Sequence, residues 1–162
     1  MKINLLGDGD ESVLQRVFTE AGDYFLSITG RAEPDPDAAE REIRACSSTP
    51  GRAIALLSDV GTDEAVGAIG WWRGSPEPNL ALLGMILIIP TARAEGRAHE
   101  AIEGLEGWLA EQGITGIRSA AGAGDTRAHT FLTSLGFAPL DERKHVSLDR
   151  GRMMIALFEK SF

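Results

Sequence analysis

The chain has one cysteine, Cys46, so an intrachain disulfide is excluded and nothing calls for an oxidising compartment. It has no block of Lys or Arg. Its 16 Lys+Arg stand against 24 Asp+Glu, a net charge of −8, which argues against nucleic acid or an anionic membrane as partner. Long hydrophobic runs are also missing: the most apolar stretch, residues 80–89, is too short to cross a bilayer as a helix. The apolar residues after Lys2 give way at once to Asp8, Asp10 and Glu11, unlike a signal peptide. Internal repeats, low-complexity tracts and linkers are absent too. What is present is ordinary: 162 residues, 43% apolar and 25% charged, the profile of one folded domain, expected to be cytoplasmic.

Residues 1–6 read as a first strand, broken by Gly7-Asp8-Gly9-Asp10, whose carboxylates are placed to cap a helix. Val13, Leu14, Val17, Phe18 and Ala21 follow at helical spacing, and Tyr24, Phe25 and Ile28 extend the pattern beyond Gly22. Asp37 is expected to cap a helix running to about Cys46. Residues 52–58 and 65–72 read as a hairpin, and 80–89 as a central strand covered on both faces. Ala101, Ile102, Leu105, Trp108 and Leu109 predict a helix over about 97–112 with Trp108 in the core. A strand over 114–120, a helix capped by Asp125 and ended by Gly136, and strands over 137–147 and 152–159 complete the chain. The pattern describes a single α/β (α+β) domain over 1–162, a mixed sheet of about seven strands with helices on both faces. Only the unit around 80–120 demands a parallel pair, so the sheet is expected to be mostly antiparallel.

The most informative segment is Ile88-Ile89-Pro90-Thr91-Ala92-Arg93-Ala94-Glu95-Gly96-Arg97-Ala98, an apolar strand entering a small-residue loop that opens a long helix. A helix amino terminus carries unpaired N–H groups and partial positive charge, and so binds phosphate where no bulky side chain blocks it. Gly96 and Ala98 keep the approach open, while Arg93 and Arg97 add cationic donors. The physical reading is a pyrophosphate site; the bland alternative is a glycine that only lets the helix pack, flanked by solvated arginines.

Together with Asp125-Thr126-Arg127-Ala128, Phe131 and Leu135-Gly136-Phe137 downstream, this series resembles the GNAT superfamily of N-acetyltransferases. The specific part spans about 80–137, and the flanking hairpin and terminal strands fit in order. The resemblance implies acetyl-CoA bound in a V-shaped gap between the strand ending near Ile89 and the strand starting near Ile114. Amides of Arg93, Ala94, Glu95, Gly96, Arg97 and Ala98 would cradle the diphosphate. Backbone groups near Ile86 and Ile88 would pair with the pantetheine arm, and Asp125, Ala128 and Phe131 would line the other side. Departures from the family pattern are Ala94 for a frequent glycine, the negative Glu95 near the phosphates, and Leu132 where a proton-donating tyrosine is frequent.

The implied reaction is acetyl transfer by direct attack of a primary amine in a ternary complex. An alkylamine with a pKa near ~10.4 must lose a proton first. Residues 80–89 hold no carboxylate to take it, but a strand N–H can still polarise the thioester carbonyl. Tyr24 is the candidate proton donor or relay, with Asp23 beside it as a candidate base. The acidic amino-terminal half favours a cationic small-molecule or peptide amine acceptor. A homodimer is left open by the resemblance, and the alternative function is a non-catalytic CoA-binding sensor or assembly module. Trp71 and Trp72 must face opposite sides of their strand, one towards core and one towards the acceptor site or a subunit contact. No metal is expected: His99, with Glu95 and Glu103, fits an ion-paired helix face, and Cys46 fits a buried thiol.

Overall fold

The computed structural model describes residues 1–93, 96–148 and 151–162. Its elements are β1 (Lys2–Leu5), α1 (Glu11–Glu20), α2 (Gly22–Thr29), α3 (Ala38–Ser48), β2 (Arg52–Ser58), β3 (Ala65–Arg73), β4 (Leu80–Ile88), α4 (Arg97–Glu111), β5 (Gly116–Gly122), α5 (Thr126–Ser134), β6 (Ala138–Leu148) and β7 (Gly151–Ser161). The strands form one sheet in the order β1-β2-β3-β4-β5-β7-β6, antiparallel everywhere except between β4 and β5. The single mixed sheet expected from the pattern is therefore present. No described helix is long and apolar enough to cross a membrane.

The apolar stripes do what their spacing predicts. Leu14, Val17 and Phe18 of α1 and Ala39 and Ile43 of α3 are buried, and these helices pack on each other and on β2 and β3. Capping differs from expectation. Asp37 makes no side-chain cap; instead the Gln15 amide oxygen on α1 accepts from the Ala39 N–H at 3.0 Å, and its NH2 donates to the Asp35 carbonyl at 2.9 Å. Asp10 likewise accepts from the Gly7 N–H at 3.0 Å rather than from helix α1. Asp125 does cap, its carboxylate accepting from the Ala128 N–H at 3.0 Å. Strand β5 begins two residues later than expected, because the Ile114 N–H is still tied to the Leu109 carbonyl of α4 at 3.1 Å.

On β3, Gly67 lies so close to β4 that an added Cβ would fall on the Leu87 carbonyl oxygen. The alternation of β3 puts buried Trp71 under α4, its ring meeting the edge of Trp108 at 5.6 Å between centroids. Trp72 points the other way, and its indole N–H donates to the Pro50 carbonyl at 3.1 Å. Trp108 corrects the expectation of a core residue: it is 38% exposed, covering Trp71 with one side and facing solvent with the other.

Candidate active site

Strand β4 pairs with β3 along its whole length, from Gly67↔Ile88 to Arg73↔Ala81, with a register shift at Gly70/Trp71 that leaves Gly84 as an unpaired bulge residue. With β5 it pairs only over Leu80–Leu82, opposite Gly116–Arg118. A last link, from the Ser119 hydroxyl to the Leu83 carbonyl at 3.2 Å, closes the vertex. Beyond it the strands part, because β5 stays paired with β7 through Gly122↔Ile155. The wedge holds a cavity of about 1120 Å³, and the run Ser119-Ala120-Ala121-Gly122-Ala123-Gly124 along its wall is too small to fill it.

The bulge decides which backbone groups the gap receives. The Ile89 N–H donates to the Val66 carbonyl at 2.9 Å, so residues 85, 87 and 89 face β3, and Ile86 and Ile88 turn their N–H and C=O towards the gap. The Ile88 carbonyl accepts from Arg93 Nε at 2.8 Å.

At the wide end, a 3-10 turn (Pro90–Ala92) leads towards Gly96, whose φ of 72° lies in the left-handed region. Gly96 precedes α4, which has no side-chain cap at its amino terminus. A Cβ on Gly96 would meet nothing within 4 Å, so the approach to the first α4 amides is open. Arg97 and Ala98 line the same cavity, while Ala94 and Glu95 lie outside the described residues.

Both arginines of the loop are engaged by carboxylates in this structure. Arg93 forms a two-pronged pair with Asp23 of α2, at 2.6 and 2.7 Å, with exposed Arg127 of α5 3.7 Å from the same carboxylate. Arg97 pairs with Asp59 at 2.8 Å. The hydrogen bonds from Arg93 hold the Asp23 carboxyl below the usual aspartate range and, in return, raise the guanidinium. Asp23 is thus a poor base and a good strap, tying α2 across the gap to the β4–α4 loop. The described charged lining comprises Arg93, Arg97 and Arg127 against Asp23 and Asp125, with His99 beside them, a less acidic balance than that of the chain as a whole.

Elsewhere in the lining α2 contributes Tyr24, Ser27 and Ile28, β4 contributes Met85, and β7 contributes Met153, Met154 and Ile155. Burial, with a smaller contribution from Glu42, pushes the Tyr24 phenol well above its ordinary value. Its hydroxyl has no hydrogen-bond partner among the described residues. Asp125, Ala128 and Phe131 line the α5 side, together with buried Leu132, which has no proton to give. The methionines of β7, and Ser27 and Ile28 as neighbours of Tyr24 in the lining, escaped the sequence reading, although helical spacing puts 24, 27 and 28 on one face.

The remaining candidates are accounted for by their neighbours. His99 sits 3.5 Å from Glu103, and no metal-binding group of His, Cys, Asp and Glu occurs among the described residues. His129 bonds the Gly122 carbonyl at 2.8 Å and meets the Phe158 ring edge-on. Burial raises the Cys46 thiol, which leaves it a weak nucleophile.

The fold is shared with solved structures at low identity. An acetyltransferase from Thermus thermophilus superposes with a TM-score of 0.81 at 22% identity, over 99% of this chain and 96% of that one. A GCN5-related N-acetyltransferase from Brucella melitensis gives 0.76 at 14%, covering 99% and 78%. A ribosomal-protein-alanine N-acetyltransferase from the same organism gives 0.72 at 16% over the full length of both chains. Among curated proteins no significant relative is found. Residues 14–137 match the model of the Acetyltransferase (GNAT) family, which takes in α1 through α5 and both walls of the gap; the chain belongs to the GNAT family of acetyltransferases.

Proposed function

We propose that this protein transfers an acetyl group from acetyl-CoA to a primary amine by direct attack in a ternary complex. The observation that carries the reading is the parting of β4 and β5 onto an uncapped helix amino terminus. The cavity suits such a cosubstrate on three counts: it is roomy, it is edged by gap-facing groups of β4, and its described lining holds three arginines against two carboxylates. Amides of Gly96, Arg97 and Ala98 would hold the diphosphate, with Arg93 behind them and Ala94 and Glu95 completing the loop. The gap-facing groups of Ile86 and the Ile88 N–H would take the pantetheine arm as an added strand, and Asp125, Ala128 and Phe131 would bound its other side.

Bound acetyl-CoA supplies the acyl group as a thioester. The Ile86 N–H, turned into the gap beside the bulge, is the donor available to polarise the thioester carbonyl. Tyr24 holds its proton at every physiological pH, so it serves as a hydrogen-bond donor to the departing sulfur and not as a base. Full proton transfer from Tyr24 is not needed, since a thiol pKa near ~8.5 makes the thiolate a tolerable leaving group.

Thiol release from acetyl-CoA across a panel of amines tests the reading. Amine-dependent release above the hydrolysis background is expected. Tight acetyl-CoA binding with no release for any amine would instead favour a non-catalytic CoA-binding module, a role with which Leu132 is compatible.

A further inference from the structure

The charge of the chain suggested a cationic acceptor, but most acids of residues 1–50, Asp8, Asp10, Glu11 and Glu33 apart, are already paired. Glu20 is held by Arg16, Asp35 by Arg31 and Arg41, Asp37 by Arg41, Glu40 by Arg44 and Glu42 by Arg52. Within the described cavity lining the only carboxylates are Asp23, strapped to Arg93, and Asp125, engaged as the α5 cap. The rest of the described lining is rich in apolar side chains, among them Ile28, Met85, Met153, Met154 and Ile155, and the Tyr24 hydroxyl has no hydrogen-bond partner among the described residues.

We infer that the acceptor is a monoamine carrying an apolar alkyl or arylalkyl body, not a diamine, polyamine or other polycation. This rests on the acetyl-transfer reading above. A second ammonium entering this wall would lose water and find no described carboxylate free to pair with it. An apolar body gains by burial, and the thioether side chains can re-pack around bodies of different shape.

The same wall explains how the reaction proceeds with no carboxylate on β4. Apolar surroundings disfavour the ammonium form and favour the neutral amine, so the first proton is lost to water. The lone pair of nitrogen then forms the C–N bond as the C–S bond breaks. The bonding pair leaves on sulfur, and the second proton lost by nitrogen ends on that sulfur, giving amide and thiol.

The test compares matched amines on the full chain: hexylamine with 1,6-diaminohexane, and phenethylamine with spermidine. Initial rates of thiol release are read beside calorimetric binding of each amine to the protein saturated with CoA. The expected result is a kcat/KM at least about tenfold higher for each monoamine, with tighter binding of the same member of each pair. Ile28→Asp, at a position 37% exposed, should narrow or invert that preference, and its thermal melt shows whether it has folded. Met154→Glu serves as the second variant. Preference for the diamine and spermidine would overturn the inference and leave acetyl transfer standing. Release with none of the amines would remove both.

Discussion

The two edges of β4 have opposite duties. Towards β3 the strand is paired throughout and packed so closely that Gly67 leaves no room for a methyl group. Towards β5 it is paired for three residues and then let go. A single strand thus supplies both the rigidity of the core and the free hydrogen-bonding edge of the site, and the Gly84 bulge lets the second edge differ from the first. The difference teaches that the site is made by withholding a sheet partner: the small residues of β5 and the pull of β7 keep the gap from closing.

The comparison can be broken most forcefully on the closed side. Gly67→Ala should destabilise the fold by about 3 kcal/mol, since backbone and not a flexible side chain meets the new methyl group; urea denaturation reads it. On the open side the same class of change should spare the fold and strike binding. Gly96→Ala and Gly96→Glu share a strain of about 1 kcal/mol from the left-handed backbone. Only the glutamate adds a negative charge beside the α4 amides, and it should weaken CoA binding by a further ~10-fold or more in calorimetry. Equal affinities for the two variants would detach the diphosphate from this loop.

Tyr24→Phe should lower kcat by about tenfold, the worth of one hydrogen bond to a charged sulfur, with little change in CoA affinity. Asp23→Asn has the smallest expected effect. Its ion pair is half-exposed, so the loss at neutral pH should stay below about 1 kcal/mol. Because the folded-state pKa of Asp23 is lowered, that contribution is present above the ordinary value of 3.8 and fades as the pH falls below it. Melting curves of wild type and variant should therefore converge in acid.

Local pattern revealed what local forces control. The apolar run of β4, the small-residue loop before α4 and the Asp125 cap all lie within a few residues of the partners they need, and each was legible in order. Distant partners were not. The strap from Arg93 to Asp23, 70 positions away, left no mark in the local pattern. Gln15 displaced Asp37 as the acceptor at the start of α3 for the same reason, since helix packing brings its amide to Ala39. Trp108 lies on an apolar stripe, but its place at the margin of the α4 footprint depends on how the helix sits over Trp71. The bulge at Gly84 is invisible in a uniformly apolar run, and without it the gap-facing roles of Ile86 and Ile88 have no geometric basis.

Amide hydrogen exchange with and without CoA reads both edges of β4 at once. Binding in the gap predicts new protection over residues 84–88 and 96–100, with β1 through β3 unchanged. Protection confined to other segments, or none at saturating CoA, would contradict the assignment of the parted strands as the coenzyme site.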